Sequence, residues 1–273
     1  MEKIVNANEI LFRCSSLSHI MTEERGGSNL TENQLNKIKE LSEKSNKTDK
    51  QQSELDELIK RRDLPPSLSE SCITHLADVY VSKKYGRNTE IESRYTNKGL
   101  MVEEDSLTLY SRFKKRIFTK NEERLNNFWI AGTPDVIKEH IVDAKSSWDI
   151  FTFFRQNIKK LNKNYYWQMQ GYMDLTGSET STLAYCLIDT PEVLINDMKR
   201  KLLWKMGALT ELDADYIKAC EEIDLLMKYE DIPMNEKVIE IEIKRNQSDI
   251  DKMHKRVEQC REYININFFK IQP

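Results

Sequence analysis

The sequence predicts a mixed α/β (α+β) protein, a central mixed sheet flanked by helices, with a helical hairpin inserted near its start. Three observations predict it. Apolar segments of strand character fall near 127–137, 139–146 and 182–189. Segments of helical period surround them, near 69–84, 96–112, 148–160, 164–176, 191–206 and 212–229. Lys237–Lys244 then alternates apolar and charged residues, the pattern of a strand with one exposed face.

In chain order, Ile10–Leu11–Phe12 is a short apolar segment, followed by Arg13-Cys14-Ser15-Ser16. A helix is expected from Ser15 or Ser16 to about Thr22, ended by Gly26-Gly27. Thr31 with Gln34, and Thr48 with Gln51, have the spacing of capping boxes. Leu35, Ile38 and Leu41 form one narrow apolar stripe, and Leu55, Leu58 and Ile59 a second. The polar stretch Ser45–Asp49 joins them and Pro65-Pro66 stops the second helix, so 31–62 reads as an antiparallel hairpin. It serves either as a grip for a partner or as a decoration without chemistry. A further strand is expected near 115–119 and a last helix near 248–264. Residues 1–27 and 67–273 then form the main domain and 28–66 the insertion.

Composition bounds the function. A chain of 273 residues buries a real core. With 32% charged residues and a net charge of −3, any nucleic-acid contact must come from local patches. The five cysteines, at 14, 72, 186, 220 and 260, have neither zinc-site nor iron–sulfur spacing and read as reduced thiols. The N-terminal stretch has no signal-peptide character and no segment has the length and apolarity of a membrane span, so a cytoplasmic location is expected.

The most informative stretch runs Gly132-Thr133-Pro134-Asp135, then Ile141-Val142-Asp143-Ala144-Lys145. Two apolar segments each end in an acid, eight residues apart. Pro134 cannot donate a ladder hydrogen bond and suits a bend that leaves Asp135 at an exposed strand end. In an extended strand Asp143 and Lys145 share one face, while Val142 and Ala144 take the other. An acid and a lysine beside a second acid suit phosphodiester hydrolysis. Hard oxygens hold Mg²⁺, the cation neutralises phosphoryl charge, and a lysine orients water or stabilises the transition state. The Ala144 carbonyl is a further candidate ligand. A lone Asp-x-Lys triplet is usually a surface ion pair; the longer pattern is far more specific.

Reading 96–113 as one helix, Glu103 falls between Leu107 and Tyr110 on the apolar side, whereas Glu104 turns toward Thr108 and Ser111. An inward carboxylate needs a metal or a basic partner such as Arg94. In 164–176, Gln168 shares a face with Tyr165, Tyr172 and Leu175, and Gln170 points roughly the opposite way. An inward glutamine needs a polar partner.

Together these residues resemble the PD-(D/E)xK nuclease superfamily, and within it the phage lambda exonuclease family with its YqaJ-type viral recombinases. The pattern is Gly99-x3-Glu103, Gly132-Thr-Pro-Asp135, Asp143-Ala-Lys145 and Tyr165-x2-Gln168-x-Gln170. The resemblance implies a restriction-endonuclease-like sheet, with Glu103, Asp135 and Asp143 as acidic ligands of Mg²⁺ or Mn²⁺. It makes Lys145 the motif lysine and Gln168 its supporting glutamine. It further implies a double-stranded DNA substrate digested from the 5′ end, a single-strand annealing recombinase as partner, and a trimeric homo-oligomer.

By the same resemblance the segment Arg13-Cys14-Ser15-Ser16 matches one whose arginine and serine bind the substrate's 5′-phosphate, Ser16 fitting the serine best and Arg13 standing closer to it than the family's arginine, and Thr133 takes the place of another phosphate-binding hydroxyl. The likeness to iron–sulfur nucleases is poorer, because the cysteine cluster is missing. Lys114-Lys115-Arg116 and Lys159-Lys160 are the basic clusters nearest the motif, suited to phosphate contacts or simply to solvated faces. Four readings remain open: the 5′-to-3′ exonuclease, a structure-specific or nicking endonuclease of the same fold, a non-catalytic DNA-binding scaffold, and an RNA-directed nuclease.

Overall fold

A computed structural model describes residues 6–22, 30–63, 67–88, 93–138, 140–158 and 160–268. Gly26-Gly27, Pro65-Pro66 and Lys159, each singled out above, lie outside the described residues.

In chain order the elements are β1 (Phe12–Arg13), α1 (Leu17–Ile20), α2 (Glu32–Glu43), α3 (Asp49–Asp63), α4 (Glu70–Tyr85), α5 (Arg94–Met101), α6 (Glu103–Phe113), β2 (Leu125–Asn126) and β3 (Ile130–Gly132). There follow β4 (Ile141–Ser146), α7 (Ile150–Phe154), α8 (Lys163–Thr176), β5 (Thr180–Cys186), α9 (Glu192–Met206), α10 (Ala214–Met227), β6 (Val238–Lys244) and α11 (Gln247–Asn267). No helix among the described residues is long and apolar enough to cross a membrane.

The chain divides into two compact units. One comprises residues 1–10, 16–88 and 252–273; the other comprises 11–15 and 89–251. In the first, both capping boxes form: the Thr31 hydroxyl accepts from Gln34 N, and Gln51 Oε1 accepts from Thr48 N. Leu30, Ile38, Leu41 and Leu55 make the hairpin's own small core, with Leu58 and Ile59 packed against it. The C-terminal part of α11 docks by buried polar contacts as well as apolar ones. Arg261, itself buried, donates from Nε and Nη2 to the Ile10 carbonyl at 3.1 and 2.8 Å.

In the second unit, β4 pairs parallel with β5, and β5 pairs antiparallel with β6. β1 runs parallel to β3, with Arg13 opposite Ala131, and β2 pairs antiparallel with β3. The period of two sorts β4 as the sequence predicts. Val142, Ala184 and Cys186 join Leu107 and Tyr110 of α6 in one apolar layer. Asp143 and Lys145 take the opposite face, under α8.

Four local expectations are corrected. The helix read over 96–112 breaks at Val102 (φ −111°, ψ 17°), so α5 and α6 are separate. No strand forms at 115–119, because α6 ends in a turn with Lys115 at φ +51°. The strand read over 127–137 shrinks to Ile130–Gly132. The helix read over 148–160 is α7 plus a single 3₁₀ turn, Arg155–Asn157.

Candidate active site

The site lies along the outer edge of β4. Pairing on this edge stops early: Val136 and Val142 exchange both backbone hydrogen bonds as one isolated bridge. Beyond it, the edge N–H of Ala144 has no strand to donate to and is accepted instead by Asp135 Oδ2 at 2.8 Å. The bend that delivers Asp135 is held by Asn121, which donates from its side chain to Pro134 O at 3.0 Å and from its backbone to Asp135 O at 2.7 Å. Asp135 is therefore half-buried at a sheet edge and not at an open strand end.

Asp143 is 1% exposed and pairs with Lys145, 27% exposed, with Nζ to Oδ2 at 2.6 Å. Gln168 on α8 donates from Nε2 to Asp143 Oδ1 at 3.3 Å and to the Tyr172 hydroxyl at 2.8 Å. That hydroxyl donates onward to the Thr133 carbonyl at 3.3 Å. A single chain of contacts thus links Lys145, Asp143, Gln168, Tyr172 and the Gly132–Asp135 bend. The spacing of Gln168 and Tyr172, one helical turn apart, is the signal that already placed them on one face. Tyr165 adds its ring below Lys145 Nζ, at 5.6 Å from the centroid.

Glu103 opens α6 and ion-pairs with Lys120 (Nζ to Oε2 3.5 Å), its side chain 38% exposed and not inward as the single-helix reading placed it, because the helix breaks at Val102. Its predicted alternative partner, Arg94, stacks instead on Tyr95 and Trp148. No spacing in the sequence marked Lys120. Glu103, Asp135, Ala144 and Lys145 line one cavity of about 490 Å³, together with Tyr95, Thr96, Gly99, Leu100, Ser146 and Tyr165.

The electrostatics follow from burial. Asp135 is pushed up from 3.8 to about 7, first by burial and then by the Asp143 charge; Lys145 and the Ala144 N–H oppose this, and Glu103 adds to it. Burial alone would lower the Lys145 ammonium, but Asp143 and then Asp135 outweigh it and raise it above the ordinary lysine value. The lysine is therefore a fixed cation beside Asp143, while Asp135 holds its proton up to about neutral pH.

Among the described residues no three acidic or imidazole side chains converge on one point as they stand. The donor set nevertheless suits a hard divalent cation. Glu103 and Asp135 border one cavity with Ala144, Asp143 is fixed beside them, and burial together with the Asp143 charge outweighs the help Asp135 receives from Lys145 and the Ala144 N–H.

The remaining predicted residues divide. Arg13 ends β1 opposite Ala131 of β3, and Ser15 lies in the 3₁₀ turn that follows. A Cβ at Gly132 would lie 2.7 Å from Tyr172 Cε1 and 2.8 Å from Cys14 Sγ, which shows how tightly the segments pack. Ser16 precedes α1 and belongs to the other unit. Lys114 is not free for phosphate: it pairs with Glu240 at 3.0 Å. Lys115 and Arg116 border a cavity that Arg112, Lys120, Glu104 and Glu122 also line. Lys160 borders a polar cavity that also reaches Lys145 and Tyr165. Gln170 does turn away from Gln168, yet it too is buried, donating to Lys244 O and accepting from Asn246 N.

Fold and site together define a mixed α/β protein with an acid–lysine cluster at the β4 edge of its β4–β5–β6 sheet. Solved structures that share this fold include exonucleases. A phage-related exonuclease from Haemophilus somnus 129PT superposes with a TM-score of 0.65 at 23% identity, covering 97% of each chain. The alkaline exonuclease LHK-Exo from Laribacter hongkongensis superposes with a TM-score of 0.53 at 12% identity, covering 98% of this chain and 96% of that one. LHK-Exo in complex with dAMP gives 0.54 at 11% identity, covering 98% and 97%. At these identities the likeness establishes a shared fold. No family model and no curated protein matches the chain.

Proposed function

We propose that this chain is a metal-dependent DNA nuclease of PD-(D/E)xK type, acting as a 5′-to-3′ double-strand exonuclease. The observation that carries the reading is the buried Asp143–Lys145 pair, locked by Gln168 and set beside an Asp135 whose carboxyl rises to about 7. Structural pairs of this kind are normally balanced, whereas here acid exceeds base within one cavity.

Glu103, Asp135, Asp143 and the Ala144 carbonyl would hold Mg²⁺ or Mn²⁺, which supplies Lewis-acid neutralisation of phosphoryl charge. Lys145 contributes a permanent positive charge at the same opening, suited to stabilising negative charge on a phosphoryl oxygen or orienting a water. Gln168 fixes the Asp143 rotamer, so that Lys145 is held in one position. Lys115, Arg116 and Arg112 offer non-specific phosphate contacts along α6 and the turn after it. Arg13, Ser15 and Thr133 are suited to a terminal phosphate. An annealing recombinase and a trimeric assembly remain parts of the proposal that rest on the family likeness.

The test is a time course on end-labelled linear duplex in Mg²⁺, with EDTA and covalently closed circles as controls. Expected are loss of activity in EDTA, sparing of closed circles and preference for a 5′-phosphate over a 5′-hydroxyl. Cleavage of closed circles would identify an endonuclease, and metal-independent cleavage would overturn the reading.

A further inference from the structure

Two glycines belong to the sequence pattern that surrounds the acids, and only one is required by the protein's own packing. Gly132 has no room for a side chain, since a Cβ would collide with Tyr172 and Cys14. Gly99 is different. It lies inside α5, where glycine is among the poorest helix formers. A Cβ there would meet a single neighbouring atom, Ser146 Oγ, at an ordinary 3.9 Å. Neither a left-handed turn nor a close helix crossing calls for the residue.

Gly99 lines the acid cavity, four residues before Glu103. Tyr95, one turn earlier and roughly 6 Å along the axis, lines it as well. So does Leu100, and both of these large side chains are exposed. Lys98 anchors this helix from its buried side. It is itself buried and donates to the Trp148 carbonyl at 2.8 Å, so the cavity-facing side of α5 is held in place.

We propose that the bare backbone at Gly99 is a substrate-clearance site, kept open for the deoxyribose-phosphate of the DNA strand next to the scissile bond. Its flanks, Tyr95 and Leu100, offer apolar faces to a sugar or base, and Glu103 lies on the phosphate side. A methyl group at position 99 would occupy the space the strand needs while leaving the empty protein undisturbed. This inference rests on the proposed nuclease reading and specifies where its substrate lies.

The test compares full-length wild type with Gly99→Ala and Gly99→Leu. Unfolding midpoints are measured in EDTA, and metal binding is followed by calorimetry with Mg²⁺. Duplex binding is measured by fluorescence anisotropy in Ca²⁺, and KM and kcat on linear duplex in Mg²⁺. Expected for Gly99→Ala are a midpoint equal to or above wild type, unchanged Mg²⁺ affinity and duplex binding at least tenfold weaker, with Gly99→Leu weaker still. Wild-type duplex binding by Gly99→Ala would overturn the inference, and so would a lowered midpoint, which would make the glycine a packing residue. Anisotropy separates the two levels. A wild-type protein that binds duplex but never cleaves it refutes the nuclease reading, while the variants still decide the clearance site. A wild type that binds no duplex refutes both.

Discussion

Lys145→Met is the substitution whose outcome the structure fixes most tightly. It keeps much of the aliphatic stem and removes the cation paired with Asp143, a carboxylate 1% exposed. Breaking a buried pair by removing one partner typically costs 3–5 kcal/mol, because the other charge is left uncompensated. Lys145 retains 27% exposure, which places this pair at the low end, about 3 kcal/mol. For a chain of this size that corresponds to a fall in unfolding midpoint of roughly 6–12 °C. The double variant Asp143→Asn/Lys145→Met removes both charges and leaves Gln168 an acceptor. It should recover at least half of the deficit. The assay is thermal unfolding in EDTA of wild type, both single variants and the double, read as a double-mutant cycle. A single variant within about 1 kcal/mol of wild type would refute the reasoning. So would a double variant no more stable than Lys145→Met, since the two groups would then not be coupled by charge.

Three further outcomes are expected. In the metal-free protein Asp135, raised from 3.8 to about 7, binds its proton more tightly folded than unfolded. Its contribution to stability is therefore complete below about pH 4 and is lost as pH rises through about 7; Asp135→Asn should flatten that slope in midpoints measured in EDTA. Gly132→Ala forces a methyl against the Tyr172 ring and Cys14, and should cost about 1–3 kcal/mol by overpacking in urea unfolding. Gln168→Leu and Gln170→Leu should separate by readout. The first should lower kcat at least tenfold by freeing Asp143, whereas the second, which strands Lys244 O and Asn246 N, should lower stability by about 1–3 kcal/mol and leave kcat per folded molecule unchanged.

The parts of the fold that were legible in the sequence are those where one period holds for several residues. The alternation across Ile141–Lys145 correctly placed Asp143 with Lys145, and the helical stripe of 164–176 correctly turned Gln168 inward. Both capping boxes formed because their donors and acceptors are local. What stayed hidden is of two kinds. β1 and β2 are two residues each, too short to show any period, and owe their existence to pairing with β3. The break at Val102 and the left-handed Lys115 carry no glycine or proline to announce them. The partners of charged groups were equally unreadable. Lys120 on Glu103, Glu240 on Lys114 and the Ala144 N–H on Asp135 are set by tertiary neighbours alone. Gln170 shows the limit of a moment argument: a helix packed on both sides buries polar residues on both.

The sheet edge explains why these residues occur together. An unpaired edge leaves backbone donors that must be satisfied, and it invites another strand to add. After the bridge at Val142 this edge is closed not by a strand but by the Asp135 carboxylate on Ala144 N. One acid thus serves the backbone and also lines the cavity. The arrangement concentrates negative charge where no further strand fills the space, and it leaves the Ala144 carbonyl side of the edge open to a ligand. A regular strand at 133–137 would have satisfied Ala144 equally well, but it would have covered the opening and turned Asp135 into an ordinary ladder residue. The Thr133-Pro134 bend, held by Asn121 and Tyr172, prevents this. The same few residues therefore end the sheet and create the site, so substitutions that straighten the bend should abolish ligand access even where the acids and lysine are all retained.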